Sequence, residues 1–348
     1  MNEKKNKNNK IINSIKVISF ILVFVAVLEI FSMTVFSKSN ATTYKNKFKN
    51  AYNYVNEVKN SIDIIALGNS NMYSAICPVK LWDKKGYTST VIASPRQSVA
   101  MTYTMLYDAL EKQSPKMVIL EQDMLYEGVE FDPEAVEEQA KSQNNKRLPT
   151  VPYITDDQLT TDIQNHFTIF LLHDSWKQMI KNAKNIGNDA TFNHGYYFNK
   201  AIKKNAPNSN MDYTDTVEVI PEEAELYLNK ILDLCRENDM ELMFIGSPSL
   251  TNWSYARHNA VEKFAEENNI SYLDFNTLED YEINYKRDFR DKGSHMNYYG
   301  AKKITNYIGN FIKNHYPDLI EDKRKNDDFA YWYDDKARFI EYHKIKKF

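Results

Sequence analysis

Residues 61–74 read SIDIIALGNSNMYS. Ile62, Ile64, Ile65 and Leu67 make an apolar run of strand length, and Gly68-Asn69-Ser70-Asn71 ends it. The pattern predicts a buried strand with Ser70 on the first loop beyond it. In an open parallel sheet, that edge is where ligands bind. A serine there is a candidate nucleophile only if a base and an orienting acid lie within reach. Far along the chain, Arg290-Asp291-Lys292-Gly293-Ser294-His295-Met296-Asn297 offers both. His295 is the expected base and Asp291 its expected orienter, with Asp288 a weaker choice. The competing reading is structural: His295 caps the final helix and Asp291 is a solvated loop charge.

Working outward, the flanking segments alternate strand, loop and helix. Residues 88–93 (TSTVIA) predict a second strand and Ser94-Pro95-Arg96-Gln97 the loop after it. Ser98 can cap a helix on which Val99, Tyr103, Leu106 and Leu110 recur at helical spacing. Residues 117–122 (MVILEQ) predict a third strand. Pro221, with Glu222 and Glu223 behind it, starts a helix whose stripe is Ala224, Leu228, Ile231, Leu232 and Cys235. Residues 241–246 (ELMFIG) and 271–275 (SYLDF) predict strands four and five, with Trp253 and His258 on or before a helix through Asn268 between them. Asn297 can cap a last helix with Ala301, Ile304, Ile308 and Phe311 on one side. Strand–loop–helix units with short connections imply an α/β fold with a five-stranded, mainly parallel sheet.

Two regions depart from the alternation. Residues 123–219 are rich in Asn, Asp, Lys, Thr and Tyr, and are expected to form an insertion at the active-site edge. A helix is expected over 174–186. His173 and Trp176 either line a site there or only pack. Residues 317–348 carry Phe329-Ala330-Tyr331-Trp332-Tyr333 and are expected to fold back on the 61–316 domain.

Residues 17–36, VISFILVFVAVLEIFSMTVF, form an apolar run long enough to cross ~30 Å of hydrocarbon as a helix. It exceeds the core length of a signal peptide, and no small-x-small cleavage site follows. It is read as a retained anchor after a 1–16 cytoplasmic tail, with 37–60 as a spacer and the large domain outside. Lysines flank both ends, so the charge bias that sets orientation is slight. Glu29 within the run either faces protein or snorkels. Formal net charge is −3; five lysines against Glu3 make residues 1–16 +4, so the remainder carries −7. An acidic remainder argues against nucleic acid as a partner. Cys77 and Cys235 are the two cysteines, too few for a disulfide framework, and no Cys-x-x-Cys pair points to zinc. No cofactor is expected.

Leu67-Gly68-Asn69-Ser70-Asn71, Ser94-Pro95-Arg96-Gln97-Ser98, His173-Asp174-Ser175-Trp176 and the run DKGSHMNYYG from Asp291 to Gly300 together resemble the SGNH/GDSL hydrolase superfamily. The chain is most similar to its membrane-anchored bacterial members, related to envelope O-acetylation proteins and to the D-alanine transfer protein of teichoic acids. The resemblance implies a three-layer α/β/α fold and a catalytic triad of Ser70, His295 and Asp291. It also implies oxyanion donors from a glycine after strand two and an asparagine after strand three. Here those places read Ser94-Pro95-Arg96-Gln97 and Glu121-Gln122-Asp123. The Arg96 or Gln97 amide, the Gln97 side chain and Asn71 are the donors that remain. His173 and Trp176 correspond to a family His-x-x-Trp block. The family's aspartate usually stands three residues before the histidine; Asp291 stands four before His295.

Two functional readings follow. One is an extracytoplasmic serine esterase or O-acyltransferase acting on an acylated envelope glycan, with a multi-pass membrane acyltransferase as partner. The other is an inactive binding or scaffolding module that keeps the fold and has lost its oxyanion donors.

Overall fold

The computed structural model describes residues 2–36, 51, 53–127, 160, 163, 166, 167, 169–173, 191–205, 211–250, 253–281 and 283–348. The chain forms two compact units, Met1–Tyr44 with Val136–Asp189, and Lys45–Ala135 with Ala190–Phe348.

The first unit contains α1 (Asn2–Met33), of which Ile11–Met33 has a mean hydropathy of 2.5 and is long and apolar enough to cross a membrane. The run expected over 17–36 falls on this helix up to Met33, and residues 34–36 form a turn after it. Glu29 has a partner, since its Oε2 lies 3.0 Å from His166 Nε2. One turn on, Ser32 Oγ accepts the Ile169 N–H at 3.4 Å, at the start of the short helix Ile169–Leu172. Most of the 123–219 insertion, the expected 174–186 helix and most of the 37–60 spacer lie outside the described residues.

The second unit carries the sheet: β1 (Ile64–Gly68), β2 (Ser89–Ala93), β3 (Met117–Glu121), β4 (Glu241–Gly246) and β5 (Ser271–Asp274). All neighbouring strands are parallel, in the order β2-β1-β3-β4-β5. β1 through β3 are buried along their whole length, which is why they read as continuous apolar runs. Neighbouring residues still serve opposite faces. Ile65, Leu67, Val118, Leu120 and Phe244 join the core built with α3 (Val99–Leu110), α4 (Glu222–Glu237) and α5 (Tyr255–Asn268). Ile64, Ala66, Ile119, Met243 and Leu273 join the core built with α2 (Pro78–Lys85) and α6 (Tyr298–His315). The architecture is therefore the expected three-layer α/β/α. Caps agree with the sequence: Ser98 Oγ accepts the Met101 N–H, and Asn297 Oδ1 accepts those of Tyr299 and Gly300.

The chain moves one way from β1 to β2 and the other way from β3 onward. The order therefore reverses between β1 and β3, the switch point beyond whose carboxyl ends open α/β sheets bind their ligands.

The C-terminal segment closes the unit with α7 (Tyr331–Tyr342). Trp332 is fully buried, stacked on Trp82 at 5.4 Å and on His194 at 3.8 Å between ring centroids. His194 Nδ1 lies 2.8 Å from Glu57 Oε1, and its Nε2 lies 3.4 Å from Asp335 Oδ2. Burial pulls the His194 pKa down, but the two carboxylates outweigh it and raise it to about 9.

Candidate active site

Ser70 stands two residues beyond the end of β1, half-buried at the switch point. Gly68 is required just before it, because a Cβ there would meet the Glu121 Cβ at 2.5 Å. After Ser70 the chain turns at once into the one-turn helix Met72–Ala75, and Ser74 Oγ donates to the Ser70 carbonyl at 2.6 Å. The Ser70 loop is thus held from both sides.

The Asp291–His295 loop is the tip of a short antiparallel turn. Phe289 bridges to Met296, and the Arg290 N–H donates to the His295 carbonyl at 3.2 Å. One carboxylate oxygen of Asp291 accepts the backbone N–H groups of Gly293, Ser294 and His295 at 3.2, 3.0 and 3.1 Å. The other lies 2.5 Å from His295 Nδ1. His295 Nε2 lies 2.8 Å from Ser70 Oγ. The expected serine, histidine and aspartate therefore form one hydrogen-bonded chain. Burial pushes the Asp291 carboxyl up, but the bonds to His295 outweigh it and bring it down to about 2. Asp291 is thus ionised at neutral pH and fixes the imidazole with its proton on Nδ1, leaving Nε2 to accept from the serine.

The four-residue spacing is accommodated by Gly293. Its φ is +98°, and a Cβ would meet the Leu250 side chain at 2.5 Å. Asp288, the weaker candidate, is elsewhere: it is buried and pairs with Lys303 at 2.7 Å.

The remaining expected site residues divide. Asn71 flanks Ser70; its N–H donates to Asn69 Oδ1 at 2.9 Å and its Nδ2 to Asp123 Oδ2 at 2.7 Å. Arg96 is exposed, with φ at +53°. The Gln97 carboxamide is fully engaged within its own loop. Its Nε2 donates to the Ile92 carbonyl and Thr102 Oγ1, and its Oε1 accepts from Ser94. The Gln97 N–H donates to the Ser94 carbonyl at 3.3 Å. Gln97 therefore closes the loop and is withdrawn as an oxyanion donor. His173 belongs to the first unit, where it is exposed, and Trp176 lies outside the described residues.

Three further neighbours of the site were not among the expected site residues. Asp123, on the loop after β3, accepts from Asn69 Nδ2 at 3.4 Å as well as from Asn71. The Tyr73 hydroxyl lies against Ser70, and burial raises its pKa while Arg290 draws it back. The Arg290 guanidinium packs over the rings of Tyr197 at 4.9 Å and Tyr73 at 5.7 Å, with its Nε 3.9 Å from Asp291 Oδ2. Arginine immediately before the candidate aspartate was the one available hint. Among the described residues, no group of three or more His, Cys, Asp or Glu is arranged to hold a metal ion.

Fold and site define a class: a three-layer α/β/α protein with a Ser–His–Asp chain at the switch point of a parallel sheet. No family model and no curated protein matches the chain. Among solved structures it is similar to a crystal structure from Bacteroides fragilis described as a "putative acylhydrolase", over 79% of this chain and 97% of that one. The TM-score of that match is 0.38 and the identity 10%.

Proposed function

We propose that this protein is a serine esterase or O-acyltransferase that works through a covalent acyl-Ser70. The reading rests on the unbroken hydrogen-bonded chain Ser70–His295–Asp291. In the proposed reaction, Ser70 Oγ attacks the ester carbonyl while its proton passes to His295 Nε2. The imidazolium is stabilised by Asp291 and then returns the proton to the leaving alcohol. A water or sugar hydroxyl next attacks the acyl-serine, giving up its proton to His295 and releasing Ser70. The Ser70 N–H is the first donor to the oxyanion.

The apolar helix Ile11–Met33 supports action at a membrane, with the Ser70 unit on the outer side and an acylated envelope glycan as substrate. A multi-pass membrane acyltransferase is the proposed source or acceptor of the acyl group. The test is labelling of the full-length protein in detergent with a fluorophosphonate. Labelling in the wild type and its loss in Ser70→Ala is the expected result. An unlabelled wild type at every pH overturns the enzyme reading in favour of a scaffolding module.

A further inference from the structure

Resting on that reading, we infer that Asp123 is a positioning residue that aims the Asn71 carboxamide as the side-chain donor to the oxyanion. An acyl-transfer site needs donors besides the nucleophile's own N–H, each worth about 10²–10³ in rate. The loop after β2 offers no side-chain donor through Gln97, whose carboxamide is engaged internally. In the loop after β3, Gln122 Oε1 accepts the Tyr272 hydroxyl, and its Nε2 lies against Gly246. Asn69 is fully buried and uses both ends of its carboxamide, on Asp123 and on the Asn71 N–H. Asn71 is different. One hydrogen of its Nδ2 is engaged by Asp123, and the other meets no second acceptor among the described residues.

Asp123 decides where that hydrogen points. Burial pushes its carboxyl up to about 6, which still leaves it ionised at neutral pH. An ionised carboxylate only accepts, so both neighbouring asparagines must turn their nitrogens toward it. That fixes the Asn69 oxygen toward the Asn71 N–H, and so fixes the backbone on either side of Ser70. The Asp123 carboxylate, on the loop after β3, thus orients the Asn71 carboxamide and, together with Glu127, the Asn69 carboxamide, and the two asparagines bracket Ser70 just beyond β1. The donor comes from the nucleophile's own loop, and the residue beyond β3 supplies its anchor.

The experiment is a double-mutant cycle on the full-length protein, reading fluorophosphonate labelling rate and kcat and KM for 4-nitrophenyl acetate. Asn71→Ala should lower kcat about 10²-fold with KM little changed, as loss of a transition-state donor does. Asp123→Ala should lower kcat tens-fold alone, on the order of what misplacing a donor costs. In the Asn71→Ala background it should add only the small share that runs through Asn69, well short of its effect alone. Asp123→Asn keeps an acceptor and should recover most of what Asp123→Ala loses. A purely structural Asp123 would instead give additive losses in the cycle and a matching fall in melting temperature, and that overturns the inference. A labelled wild type whose kcat is untouched by Asn71→Ala overturns it as well, leaving the enzyme reading in place. An unlabelled wild type removes both.

Discussion

The carboxylate of Asp291 reaches forward to His295 Nδ1 at 2.5 Å across four residues, with Gly293 at φ +98° as the pivot of the turn. An alanine at 293 would sit in the left-handed region and drive its Cβ into Leu250. Relief requires the loop to move, and a shift of about 1 Å in a catalytic group can cost 10²-fold in rate. Gly293→Ala should therefore cut ester turnover about 10²-fold while the protein still folds. Turnover within a factor of two of wild type would show that the pivot does not set the histidine.

Ser70 and His295 should act as a unit. Ser70→Ala and His295→Ala should each abolish turnover of an acetyl ester, and the double variant should be little worse than either. Asp291→Asn should cost less than either, because the serine and histidine remain paired. Rates that multiply in the double variant would mean that the two residues work separately.

The His194 cluster predicts a pH-dependent clasp. Its folded pKa, about 9, lies above the ordinary value of 6.5. The stability it contributes is therefore fully present below pH 6.5 and is lost as pH rises through 9. Melting temperature measured from pH 6 to 10 should fall more steeply for the wild type than for His194→Gln. Parallel curves would mean that the histidine is not charged in the folded protein.

Packing around α7 can be tested directly. Trp332→Ala removes a fully buried ring from between Trp82 and His194. A loss of about 3–5 kcal/mol is expected, as for large-to-small changes at buried aromatics. Denaturant unfolding followed by far-ultraviolet circular dichroism would measure it. A change under 1 kcal/mol would show the C-terminal segment to be a dispensable attachment.

If Ile11–Met33 spans a membrane, the protein should resist extraction by high salt and carbonate. Protease added to wall-free cells should then degrade the Ser70 unit. Protection until the membrane is broken would place that unit inside.

The strands were legible because each is a short apolar run bounded by Gly or polar residues. The predicted fourth strand, 241–246, coincides with Glu241–Gly246 in the structure. Ser70 and the Asp291–His295 block were legible for a related reason, since strand ends and loop motifs are local. What was not legible depends on contacts distant in sequence. Asp123 meets Asn71 from 52 residues away, and His194 meets Glu57 from 137. No periodicity marks such partners. Gln97 misled for the opposite reason: its loop folds so tightly that a residue with donors to offer satisfies them at home. The helix α2 had its own signals, Pro78 at the start and Gly86 at the end, but its short, lysine-rich body masked the stripe.

The separation of 225 positions between Ser70 and His295 also orders events during synthesis. At about 5–20 residues per second, the serine exists for roughly 10–45 s before its histidine is made. Through that interval the nascent chain holds a hydroxyl with no base. Helix α6, which covers one face of the sheet, emerges only after His295. Whatever chemistry Ser70 performs waits on the completion of the sheet's second layer. On the proposed reading, a chain halted before residue 295 carries Ser70 without its base, so the order of synthesis delays activation of the hydroxyl until the last layer is made.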